Sequence, residues 1–174
     1  MDFFTLAKQR GSVRSYQNKP IEPEKLTAVL EAGRVAPTGK NAQPQRILVL
    51  QTPENLEKLS KAANIYGAPC AIVVCGEKEK CWVRPYDGKN IMEIDVSIVT
   101  DHMMLEAADQ GLASVWICYF KPDILRKEFG LPQEWEPVNI LALGYPEGKI
   151  PSPDRHQTAR LPLEQTVFYE RIKK

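Results

Sequence analysis

Residues 91–119 read IMEIDVSIVTDHMMLEAADQGLASVWICY and predict a long helix that leads directly into a strand. The helix is expected from Ile91 to Gln110, because apolar residues recur there at helical spacing. One apolar stripe of this helix consists of Ile91, Ile94, Ile98, Leu105, Ala108 and Leu112. Gly111 stands where a helix commonly ends, and the apolar run at Ala113–Tyr119 predicts a buried strand.

Cap and turn residues divide the rest of the chain into shorter elements. Helices are expected at Asp2–Gln9, from Pro23 to the residue before Pro37, after the Thr52 cap and at Pro122–Phe129. The apolar runs that predict buried strands are Ile47–Leu50, Cys70–Cys75 and Val138–Leu143. The polar segment Glu77–Asn90 is long enough to be a functional loop.

The C-terminal part of the chain differs in character from the rest. Its prolines, Pro146, Pro151, Pro153 and Pro162, exclude a long helix until the last ten residues. Such a segment must pack on something to be ordered, and a partner subunit is one candidate. We expect one domain over residues 1–174, with an extended proline-rich tail at residues 146–174.

Charge and composition disfavour several classes of protein. The chain has 23 Lys and Arg residues against 22 Asp and Glu residues, which gives no electrostatic footprint for nucleic acid or an anionic membrane. Its longest apolar runs are too short to span a bilayer, and its N-terminus lacks the apolar region of a signal peptide. The four cysteines show no metal or disulfide-framework spacing. We expect a cytoplasmic protein with reduced cysteines.

The first candidate binding segment is Arg10-Gly11-Ser12-Val13-Arg14. It offers two guanidinium groups, a hydroxyl group and backbone N–H groups within one turn, and a phosphate monoester needs such donors. A solvated basic turn between two helices would have the same composition, so both interpretations stay open on these residues alone.

A second candidate is the loop at residues 36–44, APTGKNAQP. The amides of Asn41 and Gln43 match the edge of a flat heterocycle, while Pro37 and Pro44 stiffen the loop. An ordinary capped connection between helix and strand explains the same residues.

A third candidate is the turn and strand at residues 111–119, GLASVWICY, which suits one face of a ring system. Trp116 in this strand fits a hydrophobic core equally well.

Several familiar motifs are missing from the sequence. No G-x-G-x-x-G follows a strand, and neither a P-loop nor a G-x-S-x-G occurs. His102 and His156 have no metal-ligand spacing. Nicotinamide binding by a Rossmann fingerprint, hydrolysis and zinc chemistry are therefore poorly supported, and no metal site is expected.

Taken together, four motifs resemble the nitroreductase family over residues 3–163. They are R-x-S-x-R at residues 10–14, A-P-[ST]-x-x-N-x-Q-P at 36–44, G-L-x-S-x-W-I at 111–117 and L-x-L-G-Y-P at 141–146. The resemblance implies an α+β fold, a mixed β-sheet flanked by helices on both faces. It also implies a homodimer formed through the long central helix, with FMN bound between the subunits.

The resemblance also assigns residues to the FMN site. Arg10 and Ser12 would hold the phosphate and ribityl chain, Gly11 would allow close backbone approach, and Arg14 would reach the pyrimidine end of the flavin. The residues expected from the other subunit are Pro37, Thr38, Gly39 and Asn41. The segment expected beneath the ring consists of Trp116, Ile117, Cys118 and Tyr119, with a backbone N–H near Tyr119 aimed at flavin N5. Arg160 would close on the phosphate.

The implied reaction is a ping-pong transfer from NADH or NADPH through flavin N5 to a small organic acceptor of the nitroaromatic or quinone type. FMN carries this chemistry, so no catalytic side chain is expected. Arg14 would stabilise the negative charge that develops on the flavin. In the 77–90 loop, Arg84, Tyr86 and Lys89 are candidates for acceptor selection, unless that loop is merely solvated.

Three other functions remain compatible with the sequence. On the same fold, relatives perform reductive dehalogenation or flavin fragmentation. A flavin-binding redox sensor would bind FMN without turnover. A helical interaction protein without a cofactor would leave Arg10, Arg14, Asn41 and Arg160 unrelated to one another.

Overall fold

The chain folds into a four-stranded sheet with helices on both faces, and the computed structural model describes residues 1–172. The α-helices of that part are α1 (Phe3–Gln9), α2 (Pro23–Val35), α3 (Pro53–Ser60), α4 (Met92–Asp109), α5 (Pro122–Phe129) and α6 (Leu163–Thr166). Its strands are β1 (Gln45–Leu50), β2 (Cys70–Glu77), β3 (Ala113–Ile117) and β4 (Trp135–Gly144). Short 3₁₀ turns occupy Gly39–Asn41, Lys78–Lys80 and Pro153–Gln157.

Local signals explain where the helices begin and end. The Asp2 carboxylate accepts the Thr5 N–H at 3.0 Å, and the Thr52 hydroxyl accepts the Asn55 N–H at 3.3 Å. Prolines begin α2, α3 and α5, where a missing N–H costs nothing. Gly111 adopts a φ of 74° just after α4. The predicted helices from α1 to α5 are therefore confirmed.

Several predicted boundaries differ from the structure, and strands β1, β2 and β4 are each longer than the apolar runs that predicted them. The strand expected at Ala113–Tyr119 ends at Ile117, so Cys118 and Tyr119 belong to the connection that follows. The helix expected within the last ten residues is wrong for the part described. The short helix α6 ends at Thr166, and extended backbone follows at Val167. Residues 173–174 lie outside the described residues.

The strand order in the sheet is β1-β2-β4-β3, and each neighbouring pair is antiparallel. The α+β class is confirmed, although the pairing among these strands is antiparallel where a mixed sheet was expected. A parallel contact occurs as an isolated bridge between Ser12 and Ser114, on the outer edge of β3. The segment after α1 therefore covers the free edge of β3.

The sheet separates two hydrophobic cores. Alternate residues of β2 point to opposite faces, so Ile72 faces one core and Val73 the other. One core contains Leu59 of α3 and Leu125 of α5, and both side chains are fully buried. The second core lies against α2 and α4. The expected helices on both faces are thus confirmed.

Helix α4 is apolar on two sides. The side chains that it buries against the second core are Met92, Val96, Val99, Met103 and Ala107. The stripe that the sequence suggested lies largely on the opposite side, where Ile94 is 47% exposed and Ile98 and Leu105 are half-buried. Because both sides carry apolar residues, periodicity alone could not tell which side packs on the sheet.

The tail exposes many apolar side chains. Those of Leu161, Leu163, Val167, Phe168, Tyr169 and Ile172 are all more than 40% exposed. Among the described residues, no helix combines the length and apolarity that crossing a membrane would require.

Candidate functional site

The Arg10–Arg14 segment runs along the outer edge of β3. The Val13 N–H donates to the Ser114 carbonyl at 3.0 Å, and the Val13 side chain is buried. Ser12 and Arg14 are exposed, with the Arg14 guanidinium 5.8 Å from the centre of the Tyr66 ring. Exposed and buried side chains therefore alternate along this segment. Val13 fixes the segment to the core, and the side chains of Ser12 and Arg14 are free to bind a ligand.

Positive charge concentrates around Arg10. Partial burial lowers the pKa of the Arg10 guanidinium, and the nearby charges of Arg155 and Arg160 lower it further, while Asp101 acts in the opposite direction. Arginines stay protonated at neutral pH, so these three guanidinium groups hold like charges close together. Such an arrangement attracts an anion. The structure thus brings the charge of Arg160 near Arg10, and their binding of one phosphate group stays a prediction.

Arg155, which the sequence analysis missed, holds this region together. Its guanidinium donates to the carbonyl of Arg10 at 2.5 Å, and also to those of Ser152 at 2.7 Å, Lys8 at 3.2 Å and Pro151 at 3.3 Å. It therefore ties the tail to the end of α1. No motif marks Arg155, because its partner Arg10 is 145 residues away.

A cavity of about 390 Å³ opens beside Arg10. Its walls include Ala108 and Gly111 near the end of α4, Ser114 of β3 and Pro151 of the tail. Gly11 also lines it, and a Cβ atom there would lie 2.9 Å from Pro151 Cγ. The close packing of Gly11 against Pro151 is therefore enough to require glycine at this position, whether or not a ligand also approaches its backbone.

The loop at residues 36–44 has an unusual backbone. Lys40, Asn41 and Gln43 adopt φ values of 53°, 55° and 50°, in the left-handed region that residues other than glycine seldom occupy. The Thr38 hydroxyl accepts the Gln43 N–H at 3.1 Å, and the Asp95 carboxylate of α4 accepts the Gly39 N–H at 2.9 Å. Strained backbone that is held in this way is typical of ligand-binding segments.

The two predicted halves of the site do not meet within one chain. The 36–44 loop contacts α4 at Asp95, whereas the cavity beside Arg10 is lined by Ala108 of the same helix. Thirteen residues of α-helix span about 20 Å. The Arg10 cluster and the Asn41 loop therefore lie near opposite ends of α4.

Residues 116–119 differ among themselves in exposure. The Ile117 side chain is buried in the core on the α3 and α5 side, so only its backbone can face a ligand. Trp116 is half-buried and lines a shallow groove with Ile94, Ile98 and Asp101 of α4. Cys118 is exposed, and Tyr119 is 95% exposed.

The 77–90 loop is internally braced. The Arg84 Nε donates to Asp87 Oδ1 at 2.7 Å, so the guanidinium is already engaged, whereas the Tyr86 side chain is 95% exposed. The Asn90 side chain donates to the Lys78 carbonyl at 3.0 Å and accepts the Met92 N–H at 3.0 Å. Of the residues considered for acceptor selection, Tyr86 is thus more available than Arg84.

Within residues 1–172, no group of three or more His, Cys, Asp or Glu side chains is arranged to hold a metal ion.

Comparison with known proteins agrees with the four motifs. The family model described as Nitroreductase family matches residues 7–65 and 57–145. The solved structure of a nitroreductase family protein from Clostridium difficile 630 is 57% identical, with a TM-score of 0.96 over 99% of this chain and 100% of that chain. An FMN-dependent nitroreductase from Clostridium difficile R20291 is 24% identical, with a TM-score of 0.83 over 98% of this chain and 100% of that one.

An Archaeoglobus fulgidus protein named "Putative NADH dehydrogenase/NAD(P)H nitroreductase" is 32% identical over 146 residues, or 79% of this chain and 82% of its own length. The resemblance inferred from the motifs is therefore confirmed, and the chain belongs to the nitroreductase family.

Proposed function

We propose that the protein is an FMN-dependent oxidoreductase, which takes reducing equivalents from NADH or NADPH and passes them to a small nitroaromatic or quinone acceptor. The carrying observation is that the charges of Arg155 and Arg160 act on Arg10, which itself lines a cavity at the edge of β3. Family membership supports an oxidoreductase, and one structural relative is named as FMN-dependent.

The donors around Arg10 suit a phosphate monoester. Arg10 and Arg160 would supply guanidinium groups, and the exposed Ser12 hydroxyl and the Gly11 backbone lie in the same segment. Guanidinium groups bind phosphate oxygens through charge-assisted hydrogen bonds. The mutual repulsion of the arginines would be relieved by a dianion, which is why this donor set fits the phosphate of FMN.

The isoalloxazine ring would lie against residues from two copies of the chain. One copy would contribute Trp116–Tyr119 and the second copy Pro37, Thr38, Gly39 and Asn41. Arg14, exposed on the same edge as Arg10, would place a positive charge at the pyrimidine end. When bound, FMN would supply the two-electron chemistry through its N5 atom in a ping-pong sequence. The chain would contribute orientation and charge, with no catalytic side chain.

Two observations support a homodimer. The outward side of α4 carries Ile94 and Ile98, and a helix that is apolar on both sides is normally covered on both. The apolar side chains of the tail also lack cover in one copy. An antiparallel pairing of two α4 helices would bring the Asn41 loop of one copy to the Arg10 cluster of the other. We propose that residues 1–174 form one domain whose tail, 146–174, wraps the second copy.

Titration of the protein with FMN tests this proposal directly. Flavin fluorescence gives the dissociation constant, and sedimentation of the FMN-bound sample gives the mass. One FMN per chain in a particle of two chains is the expected result. A monomer that binds FMN would contradict the shared site, and a protein with no affinity for FMN would overturn the assignment. FMN binding with no reduction by either nicotinamide would favour the redox-sensor alternative.

A further inference from the structure

A buried carboxylate lies under the loop that is proposed to hold the flavin ring. Asp95 is in the first turn of α4, and its side chain belongs to a residue only 2% exposed. Its Oδ1 atom accepts the Gly39 N–H at 2.9 Å, while Oδ2 has no hydrogen-bond partner within residues 1–172. A charged group is costly to bury, so one that is retained with a single partner requires an explanation.

The loop above Asp95 contains a single 3₁₀ turn, Gly39–Asn41, and no longer helix or strand. Lys40, Asn41 and Gln43 occupy left-handed backbone, although none of them is glycine. Most of the bonds that stabilise the loop are internal. The Asn41 N–H donates to the Thr38 carbonyl at 2.9 Å, and the Gln43 N–H donates to the Thr38 hydroxyl at 3.1 Å.

The contact between Asp95 and Gly39 ties this self-contained turn to the helix. The loop packs closely there, because a Cβ atom on residue 39 would lie 2.5 Å from Ile91 Cδ1 and 3.3 Å from Trp82 Cβ. The carboxylate also lies near the positive end of the α4 dipole, which favours its negative charge. Gly39 is thus held by packing on one side and by a charge-assisted hydrogen bond on the other.

We propose that Asp95 is a positioning residue that presets the Thr38–Gln43 turn for binding the flavin of a second copy, an inference that rests on the proposed FMN function. It does not touch the ligand. It acts by keeping the backbone N–H groups and the Asn41 side chain in place before FMN arrives, so the ordering of the turn does not weaken binding.

The test compares Asp95→Ala and Asp95→Asn with Thr100→Val. An asparagine keeps an oxygen that can accept the Gly39 N–H, whereas alanine cannot. Thr100 is a matched control because it is a fully buried polar residue of α4 that bonds to Asn139 Oδ1 at 3.0 Å rather than to the loop. Two quantities are measured, namely hydrogen exchange of the 36–44 segment without FMN and the dissociation constant for FMN.

Asp95→Ala is expected to speed exchange in the 36–44 segment and to raise the dissociation constant about tenfold, since a turn that is competent a tenth of the time binds ten times more weakly. Asp95→Asn should keep the exchange of this segment and the dissociation constant for FMN close to their wild-type values. Thr100→Val should lower the melting temperature but leave both readouts near wild type. A general loss of stability would not give this pattern.

The outcomes separate this inference from the proposed function. Wild-type protein with no affinity for FMN would refute the proposed function, while the exchange measurement would still decide whether Asp95 holds the turn. Wild-type protein that binds FMN, with Asp95→Ala equal to it in affinity or exchange, would overturn the role of Asp95. The role of Asp95 would also be overturned if Thr100→Val weakened FMN binding as much as Asp95→Ala, or if Asp95→Asn bound FMN as weakly as Asp95→Ala.

Discussion

The guanidinium of Arg155 donates a hydrogen bond to the backbone carbonyl of Arg10 at 2.5 Å and so joins the C-terminal tail to the proposed phosphate site. Further bonds from its Nη1 atom to the carbonyls of Lys8, Pro151 and Ser152 tie Arg155 to backbone oxygens. Its charge acts on that of Arg10, and its hydrogen-bond acceptors within residues 1–172 are backbone carbonyls. One residue therefore fixes the geometry of the anion site and also increases its positive potential.

Replacing Arg155 with alanine is expected to loosen the tail and to weaken FMN binding. The site then loses one positive charge and its contact with the tail, so a loss of about tenfold in affinity, or about 1.4 kcal/mol, is expected. Fluorescence titration with FMN measures the affinity, and limited proteolysis measures the order of the tail. Arg155→Lys keeps the charge but loses the planar guanidinium, so its affinity for FMN should lie between those of the wild type and Arg155→Ala. An alanine variant with wild-type affinity and an equally resistant tail would show that this contact is dispensable.

Arg14 is expected to act on the rate of flavin reduction. Its guanidinium is exposed near Tyr66, and in the proposed FMN site it would face the pyrimidine end of the ring. Arg14→Ala should slow reduction by NADH about tenfold, equivalent to a loss of about 1.4 kcal/mol of stabilisation. Stopped-flow absorbance measures the rate, and flavin content is determined on the same samples. Arg34→Ala removes an exposed arginine that is paired with Glu31 and serves as the control. Unchanged flavin content together with an unchanged rate would remove Arg14 from the site.

A charge on the outward side of α4 should separate the two copies. Ile94 is 47% exposed, so Ile94→Glu costs little within one chain, but it would bury a carboxylate against an apolar partner in a dimer. Sedimentation should show monomers, and FMN affinity should be lost with the shared site. Ser60→Glu introduces the same charge at the exposed end of α3, on the opposite face of the sheet. A dimeric Ile94→Glu protein that retains FMN would show that α4 is not the interface.

The junction between α2 and the end of β4 should make stability depend on pH. The Tyr145 hydroxyl donates to Glu22 at 2.5 Å and, with help from Lys19, lowers the pKa of the Glu22 carboxyl from 4.5 to about 2. A carboxyl with a depressed pKa stabilises the folded state above its unfolded pKa of 4.5. This contribution is lost as the pH falls through about 2.

Urea unfolding of wild type and Tyr145→Phe, from about pH 6 down to about pH 3, tests this dependence. The wild type should be more stable near neutral pH, and its advantage should shrink below pH 4.5, the unfolded value. Tyr86→Phe removes the hydroxyl of a 95% exposed tyrosine and should show no such trend. A wild-type advantage that is constant over the whole range would mean that Glu22 is not the group responsible.

The sequence was sufficient for the elements whose signals are local. The Asp2 and Thr52 caps, with prolines at the first positions of α2, α3 and α5, placed the helix starts within a residue or two. The packed face of α4 could not be predicted, because apolar residues occupy both of its sides. The strand β3 ends before Cys118 although the apolar character continues, since hydropathy alone does not mark where pairing with β4 stops.

The resemblance to the nitroreductase family implied that Arg10 and Arg160 act on one phosphate group. The Arg160 charge does act on Arg10, although the two are far apart in the sequence, but a shared phosphate stays a prediction. Arg155 and Asp95 were not foreseen, because each bonds to a backbone group of a distant residue. Every residue carries such groups, so the sequence does not show which of them a side chain will contact. Whether Pro37, Asn41 and Tyr119 contact a flavin stays a prediction.

The proposed transfer of electrons from a nicotinamide through FMN is tested by the anaerobic absorbance spectrum of the FMN-reconstituted protein, recorded before and after addition of NADH and then NADPH. We expect the oxidised flavin bands to disappear with at least one of the two nicotinamides and to return when a quinone or nitroaromatic compound is added. Bands that persist with both nicotinamides, in a protein that has bound FMN, would contradict the proposed transfer.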